Sequence, residues 1–395
     1  MNKRALTIIF VTVFIDLLGF GIVIPLLPLY AERFGASPMV IGWLLASYLI
    51  AQAIAAPLLG KLSDRIGRRP VLIASLAGSA ISFTLLGLAE TLPWLFVARV
   101  FAGLAGGSIS AAKSYVADVT TPENRAKGMG FLGAGIALGY VFGPALGGLL
   151  THWHVTLPYF VAGATALVNC FSALLFLPAP PKNATHAVEG EDLHALVYAA
   201  RLLMRPKLGS YLWMVFLITL SFSSLTGTFA LLGQHRFHYT PMHIGLLLSF
   251  IGLLAALVQG GLIGPLVKRF RELPLATAGS AMFAVGLALV PLAHGTPLML
   301  TALFLIGLGN SLNMPTLLAL VSREATAGEQ GRALGVQQSL ESVARIIGLV
   351  LGGWLFAHAE WMPYACSAGL MALATMFGLS HFAPRKPSAG ASAAK

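Results

Sequence analysis

Charge is what this chain has least of. Asp, Glu, Lys and Arg together make up 10% of its 395 residues, and only 14 residues are acidic. A soluble domain carries about a quarter charged residues, so a soluble globular chain is excluded. Cysteine is scarce too: Cys170 and Cys366 are the only two. Both fall inside apolar runs without ligand-like partners, which argues against a disulfide framework or a metal site. A Walker A loop is missing, because Gly60-Lys61 lacks the upstream glycine and the following Ser or Thr. No HExxH pair appears either. An embedded enzyme is therefore left without visible machinery.

What the chain has is apolar length. Hydrophobic residues make up 57% and the mean hydropathy is +0.82. Runs near 20 residues or longer recur throughout, each able to span about 30 Å of hydrocarbon as a helix. They are continuous rather than alternating, which rules out a β-barrel. The pattern predicts helices near 6–30, 39–60, 70–90, 93–117, 128–150, 156–177, 208–235, 242–267, 273–293, 297–321, 331–357 and 361–382. The fold class is an all-α membrane protein with twelve transmembrane helices. Two six-helix bundles occupy 1–177 and 208–382, joined by a linker at 178–207 and followed by a disordered tail at 383–395. The linker has three prolines and a candidate amphipathic helix near 191–205.

The net charge of +11 invites a nucleic-acid reading, but its distribution argues for topology. The odd-to-even loops hold only Arg33 and Arg236, whereas 20 of the 25 Lys and Arg residues lie in the termini, the other loops and the helix ends beside them. The positive-inside bias places both termini and the linker in the cytoplasm. Trp43, Trp94, Trp153 and Trp361 fall at the opposite ends, where indoles favour the interface. The opening resembles a signal peptide but is too long and is interrupted by Asp16 and Pro25, so it reads as a retained first helix.

The two halves repeat. Gly60-Lys61-Leu62-Ser63-Asp64-Arg65-Ile66-Gly67-Arg68-Arg69 reads as a charged turn between helices 2 and 3. Gly264, Arg269 and Pro274 repeat the spacing of Gly60, Arg65 and Pro70 about 204 residues later. Gly143-Pro144-Ala145-Leu146-Gly147-Gly148 is matched by Gly348-Leu349-Val350-Leu351-Gly352-Gly353, and Ile41-Gly42 by Ile244-Gly245. Repeats that start on the same side after six spans are parallel, the outline of a secondary transporter.

Few polar side chains lie at membrane depth. Asp16 sits about 15 Å into helix 1 at the standard rise. A lone carboxylate there must be buried in the bundle, paired or protonated. It reads as a proton-coupling residue, against a purely structural Asp. Gly19, Gly21, Pro25 and Pro28 make helix 1 a candidate bending element. Arg99 in helix 4 is a polar-network residue, either an architectural hub or part of the coupling. Lys113 on the same helix either snorkels, pairs with Asp16 or meets a ligand. Glu341 and Arg345, at i and i+4 on helix 11, neutralise each other or form a second proton or substrate site. Gln259, Asn310, Asn313 and Gln338 are substrate-binding candidates, with interhelical hydrogen bonding as the alternative. Gly135, Gly139, Gly143 and Gly147 give helix 5 a smooth ridge, with Pro144 a local break. Asp64, Arg65 and Arg68 suit a latch with Asp118 at the inner end of helix 4; the alternative is a plain topology anchor. The histidines His152, His154, His235, His238 and His243 read as loop residues at the outer face.

These motifs resemble the major facilitator superfamily, and within it the twelve-helix drug:H+ antiporter branch. Gly60 through Arg69 is similar to that superfamily's loop 2–3 signature. Arg99-Val-Phe-Ala-Gly103 is similar to the branch's helix 4 motif, and Gly139 through Gly148 to its antiporter motif. Asp16-Leu-Leu-Gly19-Phe-Gly21 with Pro25 and Pro28 resembles bacterial tetracycline efflux proteins. The resemblance covers essentially the whole chain. It implies proton coupling at Asp16, a cytoplasmic gate at Asp64, Arg68 and Asp118, and a polar network at Arg99; with Gly60, Arg65 and Gly67 of the same segment these make up the expected gate. Three positions depart from the pattern: Lys113 in place of a small residue, Lys268 where the first half has Asp64, and Leu349 where it has Pro144.

The expected function is export of small amphipathic compounds in exchange for protons, by alternating access, across a bacterial inner membrane. A uniporter, symporter or sugar exporter of the same fold is the alternative, and a non-transporting receptor a more distant one. No cofactor is implied beyond the proton gradient. The partners are a small-molecule substrate, protons and the bilayer, not nucleic acid, and nothing calls for more than a monomer.

Overall fold

The computed structural model describes residues 3–178, 193–326 and 328–381. Residues 179–192 of the expected linker and the tail from residue 382 lie outside the described residues. Among the described residues all regular structure is helical. Twelve helical spans among the described residues are long and apolar enough to cross a bilayer. Numbered 1 to 12, they run Ala5–Glu32, Pro38–Ile66, Arg68–Gly87, Leu92–Val119, Lys127–Leu150, Leu157–Phe176, Leu208–Phe237, Pro241–Phe270, Glu272–Leu289, Thr296–Glu324, Gln330–His358 and Met362–Ser380.

Local chemistry sets several starts. Ser37 accepts a hydrogen bond from the Val40 amide and Pro38 opens span 2; Thr240 accepts from His243 and Pro241 opens span 8. A hydroxyl cap followed by proline satisfies the free amides and presets φ. These two starts occupy equivalent places in the repeat.

Packing repeats as well. In the first bundle span 1 lies along span 5, span 2 along span 4 and span 3 along span 6; in the second, 7 lies along 11, 8 along 10 and 9 along 12. The bundles meet where span 5 packs on span 8 and span 2 on span 11. All six spans of one half thus answer to the six of the other, as a duplicated chain requires.

Three expectations need correction. The charged segment is not a turn from Gly60 to Arg69. Helix continues to Ile66, and Gly67 alone breaks it, with φ 99°. Lys61, Asp64 and Arg65 are exposed on the last helical turns, so their charge ends the apolar window without ending the helix. In the second half Arg271 takes the place of Gly67, with φ 64°. That region favours glycine, and a side chain there costs of order 1–3 kcal/mol. Arg271→Gly is therefore expected to raise stability by about 1 kcal/mol, measured as thermal unfolding in detergent.

Span 4, expected as continuous, is two helices, Leu92–Ala105 and Ser108–Val119, broken at Gly106-Gly107. Span 1 is also divided, into Lys3–Val23 and Leu27–Glu32, at the segment holding Pro25. Span 8 carries one π-helical turn, Val258–Leu262. The third correction concerns histidine. His235 is in the last turn of span 7 and His243 in the first turn of span 8, not in loops.

Close backbone contact falls at one end. On span 5, a Cβ added at Gly143 would lie 2.6 Å from Gly21 Cα of span 1. Overpacking of that kind costs about 1–3 kcal/mol, which explains the glycine ridge. Between bundles, a Cβ on Gly148 would lie 2.6 Å from the Pro241 carbonyl, and one on Gly42 would lie 2.6 Å from the Leu349 carbonyl. All of these bundle-to-bundle contacts lie toward the end away from the termini, here the far end. Toward the termini, Gly130 and Gly133 on span 5, Gly260, Gly261 and Gly264 on span 8, and Gly331 and Gly335 on span 11 have open space where a Cβ would go. The bundles touch at the far end and part at the other.

Candidate functional site

The break in span 4 builds the site. Ser108 is the first residue of the second half-helix, and its hydroxyl donates to Asp16 Oδ2 at 2.6 Å. The bond brings the carboxylate to the positively polarised end of that half-helix. Ser79 of span 3 reaches the same carboxyl. Asp16 is only 8% exposed, so it faces the bundle and not lipid. Span 4 gives up its continuous hydrogen bonding here, which is tolerated only where the freed groups meet protein or a water-lined cavity.

A polar chain runs outward from there. Gln52 of span 2 donates from Nε2 to the Gly106 carbonyl at 2.9 Å and to the Tyr48 hydroxyl at 3.1 Å. Gln52 therefore fills the gap that the broken helix leaves. The Tyr48 ring lies under the Arg99 guanidinium, 4.5 Å from its centroid. Arg99 is 3% exposed, makes no salt bridge among the described residues, and its Nε has no hydrogen-bond partner. The partner shown for this buried cation is thus the face of an aromatic ring and not a carboxylate. Phe20 of span 1 packs on Tyr48 at 5.5 Å and meets Tyr140 of span 5 edge-on at 6.3 Å. Tyr140 lies close enough to feel both Asp16 and Arg345 of the opposite bundle.

The charged cluster near the termini forms inside the first bundle. Arg68 pairs with Asp64 at 2.5 Å and with Asp118 at 3.6 Å, and donates to the Ser63 hydroxyl at 3.1 Å. Asp118 thus meets Arg68 as its position suggested. Arg65 is exposed, and Gly60 has open space beside it. With the bundles parted at this end, these pairs do not cross to the second half.

Other candidates scatter. Glu341 sits 3.8 Å from Arg345 and accepts from Gln337 Nε2 at 3.0 Å. Lys113 is exposed, and Asp16 takes Ser108 as partner instead of it. Asn313 is 0% exposed, wedged between spans 9 and 10 with Ser280 donating to its Oδ1 at 3.3 Å. That is interhelical hydrogen bonding and not a cavity wall. Asn310 is half-buried, while Gln259, on the π turn, and Gln338 are exposed. Among the described residues no group of three or more His, Cys, Asp or Glu side chains is placed to hold a metal ion.

The linker helix Leu193–Leu203 docks on the second bundle. Arg205 grips Glu329 at the start of span 11 with two bonds of 2.9 and 3.0 Å. The guanidinium holds the Glu329 carboxyl down at about 2.

Sequence reasoning did not find Ser108, Ser79, Tyr48 or Gln52. The available signal was Gly106-Gly107-Ser108, a helix-breaking pair followed by a good first-turn residue.

Two six-helix bundles, pressed together at one end and parted at the other, with a buried acid inside the first, define a membrane transporter. The Major Facilitator Superfamily model matches residues 9–348 and 261–395, and the chain belongs to that family. It is accordingly a transporter and not an enzyme. The chain is 31% identical over 375 residues to the class C tetracycline resistance protein of Escherichia coli, covering 90% of each chain. It is 26% identical over 387 residues to multidrug resistance protein 1 of Bacillus subtilis, covering 97% of this chain and 98% of that one. Among solved structures, the human organic anion transporter MFSD10 (TETRAN) superposes with a TM-score of 0.70 at 24% identity, over 95% of this chain and 99% of that one. The nucleoside transporter NupG superposes with a TM-score of 0.79 at 14% identity, over 98% of this chain and 100% of that one. These two likenesses concern the fold alone.

Proposed function

We propose that this chain is a proton-coupled antiporter that exports small amphipathic compounds, tetracycline-like drugs among them, from the bacterial cytoplasm. The observation that carries the reading is Asp16: a carboxylate deep in the first bundle, bound by Ser108 at the break of span 4. The names of the multidrug and tetracycline resistance relatives support the substrate class. The positive-inside bias puts the termini in the cytoplasm of a cell whose inner membrane holds the protein. The parted end then faces the cytoplasm, and the conformation is inward-facing.

In this state a substrate from the cytoplasm enters between the bundles and displaces the proton of Asp16. The bundles then rock, close the cytoplasmic end and open the outer one, where the carboxylate reloads. The cycle has direction only if proton affinity differs between the two states. Arg68 with Asp64 and Asp118 steadies the ends of spans 2, 3 and 4 as one body. That body would meet the second bundle when the cytoplasmic end closes. The protein acts as a monomer in this scheme.

A susceptibility panel in an efflux-deficient bacterial host tests the reading. Expression is expected to raise tolerance to tetracycline or to lipophilic organic cations. In proteoliposomes an imposed proton gradient is expected to drive accumulation of the same compounds. Accumulation that ignores the gradient would refute coupling and leave a uniporter.

A further inference from the structure

We propose that His235 is an externally loaded proton site that clasps the outer ends of the two bundles, so that acid outside favours the inward-facing state. The inference takes from the proposed function only the orientation of the chain, and neither the substrate nor the role of Asp16.

The geometry is specific. His235 Nε2 lies 2.6 Å from Glu32 Oε1, at the end of span 1 in the opposite bundle. Its Nδ1 lies 3.4 Å from Glu360 Oε1, in the loop after span 11. A neutral imidazole carries one N–H and can donate to one carboxylate, while its other nitrogen turns a lone pair toward the second. The imidazolium donates from both nitrogens. Two carboxylates placed on the two ring nitrogens therefore match the protonated ring. Among the described residues, Glu32–His235 is also the one ion pair that joins the two bundles.

The surroundings give the proton a route. A cavity of about 460 Å³ lies beside the clasp, lined in part by Glu32, Arg33, Gln234 and Tyr239. Glu32 Oε2 is buried without a hydrogen-bond partner. Phe356 of span 11 flanks the ring at 6.0 Å. Other titratable or charged groups at these outer ends include Tyr30, Arg33, Tyr159, Arg236, His238, Tyr239, His243, His358 and Tyr364, with Glu90, His152, His154 and His294 in the outer loops. Of all the groups there, Glu32 and Glu360 are the ones within ion-pair distance of the ring.

The sign follows from linkage. Opening the outer end takes His235 away from Glu32, so the imidazolium makes both of its charge-assisted contacts only in the closed form. The protonated ring therefore favours the closed outer end, and the neutral ring gives up one of its two bonds. Protons outside, which drive the proposed exchange, would thereby also hold shut the gate through which substrate leaves. The device returns an unloaded carrier to the cytoplasmic side.

Pulsed electron-spin distances on the full chain in nanodiscs test this. Labels go on His152→Cys and His294→Cys, exposed in outer loops of opposite bundles, with Cys170→Ser and Cys366→Ser. Asp16→Asn is added so that its titration cannot contribute. Between about pH 5.5 and pH 8 the closed-to-open ratio of the outer end is expected to fall at least fivefold, the low end of a coupling between sites. His235→Gln and Glu32→Gln should each flatten that response, and His235→Lys should hold the outer end closed at both pH values. A parent ratio that ignores pH overturns the clasp. So does a His235→Gln variant that keeps the parent's response. Either result leaves proton exchange at Asp16 standing, because no variant here measures transport.

Discussion

Asp16→Asn is expected to reduce gradient-driven export to that of protein-free vesicles while the protein still folds and inserts. The substitution keeps size and shape but removes the exchangeable charge. The hydroxyl of Ser108 can turn from donor to acceptor and bond the new amide, so the 2.6 Å contact survives in kind. At most the difference between a charged and a neutral hydrogen bond is lost, about 1 kcal/mol. For a chain of this size that lowers the melting temperature by no more than about 2–4 °C. Loss of export with a near-normal melting temperature separates a proton carrier from a structural Asp. Exchange of external for internal substrate should persist in the variant, because rocking of the bundles needs no net charge there. Full gradient-driven export by Asp16→Asn would end the assignment.

Arg99→Met is expected to do the reverse of an ordinary core mutation: export falls to background while stability holds or rises. Arg99 is a cation at 3% exposure whose described neighbour is the face of Tyr48, 4.5 Å away. A desolvated cation–π contact is worth about 2 kcal/mol. The cost of burying an ion without a counter-charge is several kcal/mol. A methionine fills similar volume without that cost, and hydrophobic replacement of buried charges is often neutral or stabilising by about 1–4 kcal/mol. A charge held at such expense, in a chain joined through Tyr48 and Gln52 to the break beside Asp16, is what the proposed coupling would require. Thermal unfolding and export, measured on the same preparation, check both halves of the expectation. A variant that unfolds easily would make Arg99 a structural hub.

Much of this was legible in residue order, for identifiable reasons. Twelve spans show because a helix in lipid must be long, apolar and self-satisfied in hydrogen bonds. Asp16 shows because a carboxylate in such a run is rare and costly. The pairing of Arg68 with Asp118 was reachable because both stand at the same end of neighbouring helices. What was hidden depended on partners far apart in the chain. Ser108 looks like any small residue in an apolar helix, and its role exists only because span 1 passes beside the break. The long apolar run through Gly106-Gly107 concealed the break itself. His235 sits one residue from Arg236 near a predicted loop, and nothing local tells that Glu32 of the other bundle meets it. The polar residues Asn313 and Gln338 could not be sorted, because helical spacing gives a face without saying what that face meets. Asn313 turned out sealed, and Gln338 exposed.

The most direct test is proton release on substrate binding. Purified protein in weakly buffered detergent solution is mixed with a transported compound found in the panel, and the pH change is read with a dye. Competition at Asp16 predicts release of up to one proton per ligand bound by the parent and none by Asp16→Asn, which still binds. Equal release from both, or no release from the parent on saturating binding, would contradict an exchange of proton for substrate at that carboxylate.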